Sequence, residues 1–149
     1  MTPKSAATQL HDTAAERLRM FGQQYTPTRR AVVEVLRKAP DPVTIPEIMK
    51  ARPTLALSSV YRTLSVLEQA EIANRLVTNR EFARYELAED LSGHHHHLIC
   101  SGCGKVKDFT LSNKLERTAS RSFEEIASAA GFVMQGHRLD VVGLCADCT

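Results

Sequence analysis

Leu10, Ala14, Leu18 and Phe21 recur at helical spacing through a polar N-terminal stretch and predict a helix over residues 6–21, stopped by Gly22. Tyr25-Thr-Pro-Thr28 leads into RRAVVEVLRKA, with Thr26 as N-cap and Pro27 at the first helical position. Val32, Val33, Leu36 and Ala39 form its apolar face, and Pro40-Asp-Pro42 ends it. Thr44 then precedes a short helix, IPEIMKAR, closed by Pro53. In LALSSVYRTLSVLEQAEI, Ser58 or Ser59 is the expected cap and Val60, Leu64, Leu67 and Ala70 the buried face. Residues 72–87 change period to two alternating runs around Thr78-Asn-Arg80, which predicts a β-hairpin. Helix-turn-helix followed by a hairpin is the arrangement of a winged helix.

Beyond this the pattern starts afresh. Residues 88–93, AEDLSG, read as a linker, and residues 94–109 hold a strand-like core. Leu115, Ala119, Phe123, Ile126 and Ala130 predict a helix over residues 111–130 with that face inward, stopped by Gly131. Residues 132–144 alternate as a second long strand. The expected architecture is α+β: a winged helix over 1–88, a hinge at 89–93, and a small α+β domain over 94–149.

Composition fits two modest cores rather than one large one, since aromatic residues make up 5% and Trp is absent. No apolar run approaches the ~20 residues a membrane span needs, and none has the layout of a signal peptide, so the expectation is a cytoplasmic protein with no membrane partner. The net charge of +2 conceals a balance of +5 over residues 1–80 and −3 over residues 81–149. A basic half joined to an acidic, His/Cys-rich half suggests a polyanion reader attached to a cation site.

That second half carries the chemistry. Cys100-Ser-Gly-Cys103 and Cys145-Ala-Asp-Cys148 offer four thiolates in two knuckles, with Gly102 and Gly104 easing the first turn. In a reducing compartment such pairs favour a closed tetrahedral Zn²⁺ site that stabilises the fold. Before them stands His94-His95-His96-His97. On an extended chain successive side chains point to opposite faces, so the run divides into His94 with His96 and His95 with His97. Two pairs serve two metal sites, with carboxylates drawn from Glu86, Glu89, Asp90, Asp108 and Glu116, and with His137 as a further imidazole.

In the first half, Ser58, Ser59, Tyr61, Arg62 and Thr63 gather at the N-terminal turns of the third long helix. That end of a recognition helix meets base edges and phosphates in the major groove. Arg62 suits a guanine edge or a phosphate, Tyr61 a thymine methyl, and the serines a phosphate. Arg29, Arg30, Arg75 and Arg80 add charge around it.

Taken in order, SSVYRTLSVLEQA, HHHHLICSGCGKVKDF, a helix, GHRLDVVGLC and a closing C-x-x-C resemble the ferric uptake regulator family from about Tyr25 to Cys148. The resemblance implies a homodimeric, metal-sensing transcription regulator, in all expectation a repressor, that binds a double-stranded DNA operator. It implies structural zinc on Cys100, Cys103, Cys145 and Cys148, a regulatory hinge site at Glu86, His95, His97 and Asp108, and a further site at His94, His96, His137 and Glu116. Tyr61 and Arg62 match its base-reading residues. The chain departs from the family pattern in having no histidine near Pro42–Thr44 and no cysteine just before the histidine run. Glu116 is also offset by one residue, and the segment leading to His137 is about one helical turn longer. The regulatory ion therefore stays open among Fe²⁺, Zn²⁺, Mn²⁺ and Ni²⁺. Two other classes compete: a thiol-redox zinc switch using both knuckles, and a zinc-dependent hydrolase. The second lacks H-E-x-x-H or any comparable spacing, so no enzyme is expected.

Overall fold

Ser5 starts the first helix, its hydroxyl accepting the Thr8 N–H, and α1 runs Ala6–Met20 with Leu10, His11, Ala14 and Leu18 buried. Phe21, expected on the same stripe, falls just past the last helical residue and is exposed. These are features of a computed structural model in which residues 5–78 and 82–149 are described. Thr26 accepts from Arg29 N–H to cap α2, Pro27–Lys38, which buries Val32, Val33 and Leu36; Ala39 is its half-buried C-cap. Thr44 and Glu47 form a reciprocal capping box on α3, Ile45–Ala51.

The next helix, α4, spans Leu57–Gln69 and starts two or three residues earlier than expected. Its N-cap is Ala56, so Ser58 and Ser59 already lie inside the first turn and neither caps it. Beyond it, β2 (Ala73–Leu76) and β3 (Arg84–Leu87) pair antiparallel, with Ala73 opposite Leu87. The expected turn at Asn79 and Arg80 lies outside the described residues. A two-residue strand that the period did not announce, β1 (Val43–Thr44), adds to β3 and gives the order β1-β3-β2. Leu18, Val32, Val33, Ile48, Val60, Leu64, Leu67 and Ile72 fill the core of this unit.

The segment read as a linker has structure. Glu89–Ser92 forms a helical turn, α5, whose Leu91 packs against the first core, while Arg17 of α1 donates to Asp90 and to Glu71 O. Gly93 ends it at φ 94°, ψ 155°, a conformation available essentially to glycine alone. The chain divides there into the compact units Met1–Gly93 and His94–Thr149.

In the second unit β4 (His96–Cys100) pairs antiparallel with β5 (Val106–Phe109) and parallel with β6 (Asp140–Gly143), in the order β5-β4-β6. Only those four residues of the expected 132–144 strand are extended and paired. Between β5 and β6 lies α6, Asn113–Ala129, with Ser112 as N-cap. Its apolar stripe is not inward: no residue of α6 is buried, and Leu115 and Ile126 are 57% and 66% exposed. A helix of 17 residues is about 25 Å long and outruns a sheet of three short strands. The buried residues of this unit are His96, His97, Cys100, Gly104 and Val106. No helix among the described residues is long and apolar enough to cross a membrane.

Candidate metal centres and nucleic-acid interface

The parallel pairing of β4 with β6 sets Cys100 opposite Gly143, and Ser101 N–H donates to Gly143 O at 2.8 Å. Each strand then runs directly into a knuckle, so the two C-x-x-C pairs meet. Cys103 Sγ lies 3.7 Å from Cys145 Sγ, Cys145 N–H donates to Cys100 Sγ at 3.3 Å, and all four sulfurs lie within 4.8 Å of one another as free thiols. Gly102 permits the closure: a Cβ there would stand 2.9 Å from Cys148 Cβ and Sγ. The backbone N–H groups of Cys145 and Cys103 pull the Cys100 thiol down to about 6. Hydrogen bonding with Cys145, then Cys103 and Cys100, pushes Cys148 up to about 12. Four sulfurs so close oppose one another's ionisation, and a divalent cation removes that opposition. The donor set fits tetrahedral Zn²⁺ with no position left open.

Alternation separates the histidine run. His94 and His96 stand with ring centroids 4.8 Å apart, and His95 and His97 with theirs 5.0 Å apart. The first pair meets Glu116 from the first turn of α6: His94 Nε2 is 2.9 Å from Oε1 and His96 Nε2 is 3.0 Å from Oε2. His137 joins from the segment ahead of β6, its Nε2 also 2.9 Å from Glu116 Oε1. That nitrogen is buried and makes no hydrogen bond despite the short approach. His96, foremost, and His94 hold the Glu116 carboxyl below its ordinary range, against the opposing effect of burial. Three imidazoles converging on one carboxylate form a donor set fit for a divalent ion.

The second pair faces Asp108 of β5, which is opposite His97 in the ladder. His95 Nε2 lies 3.7 Å from Asp108 Oδ2 and His97 Nε2 3.7 Å from Oδ1, both too long for a hydrogen bond. Glu86 belongs to the first unit, where it is half-buried on β3 opposite Asn74. One neighbour of this pair escaped the sequence reading: Asp140 Oδ1 is 3.2 Å from His97 Nδ1. The two are 43 positions apart and meet only through the β4–β6 register, so no local pattern announces them.

On α4, Ser58, Tyr61 and Arg62 are exposed, Tyr61 at 55%, and Ser59 is half-buried. Thr63 is instead 5% exposed and packs with Val60, Leu64 and Leu67, because it follows Val60 by three positions on the core face. It is not among the exposed positions of that turn. Arg29 is turned back onto Gln24 O and Gln23, and Arg30 Cζ lies 5.9 Å from the centre of the Tyr25 ring. Arg75 stands exposed on β2, and Arg80 is outside the described residues.

The sequence pattern of the Ferric uptake regulator family matches residues 21–142. The chain belongs to that family. It is 34% identical to the ferric uptake regulation protein of Campylobacter jejuni over 88% of this chain and 83% of that one. It is 29% identical to the peroxide operon regulator of Bacillus subtilis over 91% of each. In fold it is similar to the Helicobacter pylori ferric uptake regulator, with a TM-score of 0.74 and 24% identity over 99% of this chain and 97% of that one. As a member of the ferric uptake regulator family the chain is a metal-responsive transcription regulator and not an enzyme. The relatives it matches include both iron and peroxide regulators. The stretch near Pro42–Thr44, which has no histidine, holds β1, with Val43 paired to Tyr85.

Proposed function

We propose that the chain is a dimeric, metal-gated repressor that presents two recognition helices to a double-stranded DNA operator. Zn²⁺ on Cys100, Cys103, Cys145 and Cys148 ties β4 to β6 and contributes folding energy directly. The regulatory ion takes His95, His97 and Asp108. His94, His96, His137 and Glu116 hold the further ion. Ser58, Ser59, Tyr61 and Arg62 meet the DNA from the first turns of α4.

The observation that carries this reading is the division of one histidine run between two carboxylates, Glu116 and Asp108. A cation supplies charge neutralisation and a common point of attachment for these donors. His95, His97 and Asp108 do the rest by offering three donors already close to one another. Gating follows from differential affinity alone: an ion shifts the DNA-competent population only by how much better that state binds it. Moving it from 1:99 to 99:1 takes roughly 5.5 kcal/mol, within reach of a multidentate site. Two copies bring two α4 helices, and a two-fold operator with half-sites about one helical turn apart is the matching substrate. The uncovered stripe of α6 supports the second copy.

The test is operator binding titrated with Fe²⁺, Mn²⁺, Zn²⁺ and Ni²⁺ at buffered free concentrations, with the cysteine site kept zinc-loaded. One ion supports binding at the lowest free concentration in wild type, and the His95→Ala/His97→Ala protein remains a folded dimer but binds DNA no better with metal than without. Metal dependence that survives in that double variant would sink the regulatory assignment.

A further inference from the structure

The structure assigns a positioning role to Asp140: we infer that it fixes which nitrogen of His97 is presented to the regulatory ion. This rests on reading His95, His97 and Asp108 as the regulatory site. His97 is 5% exposed, and its Nδ1 lies 3.2 Å from Asp140 Oδ1. The contact is built by the backbone, since His97 pairs with Asp140 in the parallel ladder and His97 N–H donates to Leu139 O at 3.2 Å. An ionised carboxylate only accepts, so this bond places the imidazole proton on Nδ1. The lone pair of the neutral ring then sits on Nε2, the atom that faces Asp108 Oδ1 at 3.7 Å. Asp140 also orients the ring, because the bond and the strand pairing together leave it little freedom to turn. A ligand histidine held this way loses less freedom on binding and is a stronger base.

The same strand continues through Gly143 into Cys145, so the residue that orients His97 is fastened to the cysteine cluster. Asp140 stands on the ring nitrogen away from Asp108.

Asp140→Ala in the full-length, zinc-loaded protein tests it with two readouts. Long-range ¹H–¹⁵N spectra of the imidazoles, without regulatory metal, should show His97 as the Nδ1–H tautomer in wild type and lose that state in the variant. Mn²⁺ affinity, measured by competition with a chelator, should fall about 10–100-fold while one zinc per chain is retained. Asp140→Asn, nearly isosteric, guards against disturbance of β6; it keeps an acceptor oxygen and should keep the tautomer with a smaller loss of Mn²⁺ affinity. Wild-type tautomer and wild-type Mn²⁺ affinity in Asp140→Ala would overturn the inference. So would an Asn variant that keeps the tautomer yet loses as much affinity as Ala, since charge alone would then explain the effect. Wild-type Mn²⁺ affinity in His95→Ala/His97→Ala would instead remove the site reading, and the tautomer spectrum would still report on Asp140.

Discussion

The first unit buries leucines, valines and isoleucines from α1 through β3, whereas the second buries His96, His97, Cys100, Gly104 and Val106 and little else. One is held by the removal of apolar surface from water, at roughly 25 cal/mol per Å². The other places its ligands where a core would be and leaves Ile126, Phe132 and Val133 exposed, the last at 90%. So few residues cannot bury enough apolar area to fold confidently, and small domains of this kind depend on metals or partners. The difference places dependence on ions and partners in the second unit, and self-sufficiency in the first.

The largest effect should come from the cysteine cluster. Stripping zinc with a strong chelator, or Cys100→Ser, should abolish amide protection across β4, β5 and β6 while residues of α2 and α4 keep theirs. Structural zinc in small metal-dependent folds is worth on the order of 10 kcal/mol, more than a unit with this core can lose. Hydrogen exchange of the full chain checks it, and undiminished protection in β4–β6 would end the contrast. A smaller effect should follow from charge on the α6 stripe. Ile126→Glu should weaken self-association by roughly a hundredfold or more, since an apolar side chain worth about 1.5–3 kcal/mol is lost from each copy. Sedimentation at several concentrations reads this, and a dimer as tight as wild type would place the interface elsewhere.

The smallest effect concerns the first unit. Glu34 is held down to about 2, first by Arg37 and then by His11, whose Nε2 lies 2.5 Å away. A carboxyl lowered on folding stabilises the fold above its unfolded pKa, near the ordinary 4.5, and that contribution is lost as pH falls towards about 2. In wild type the first unit should therefore lose stability as pH falls from about 5 to 2, and in Glu34→Gln the decline should be shallower. Melts followed by α-helical signal across that range check the sign; parallel profiles for the two proteins would remove Glu34 from the account.

Much of this was legible in the sequence where period and chemistry are local. Leu10, Ala14 and Leu18 on α1, the Thr26 and Thr44 caps, and the alternation of the histidines follow from spacing along one element. Contacts made across the fold were not. Asp140 reaches His97 only through a parallel register, and β1 is two residues long, too short to show any period. The α5 turn is polar over all but Leu91, so residues 89–92 looked like linker although they pack on the first unit. Thr63 was misplaced because the buried face of α4 is wider than a single apolar row and takes in a threonine. The stripe on α6 was read correctly as apolar and wrongly as inward. Periodicity announces that a face will be covered and is silent on what covers it.

That helix has a consequence for how the regulator behaves in a dilute cell. In the proposed dimer, a surface covered only by a second copy would link folding of the second unit to the law of mass action, so that its stability would rise with the number of chains present. The first unit, with its closed core, owes nothing to abundance. Scarcity would then weaken the second unit before the first, and the uncovered stripe of α6 would make copy number a further input beside the ions.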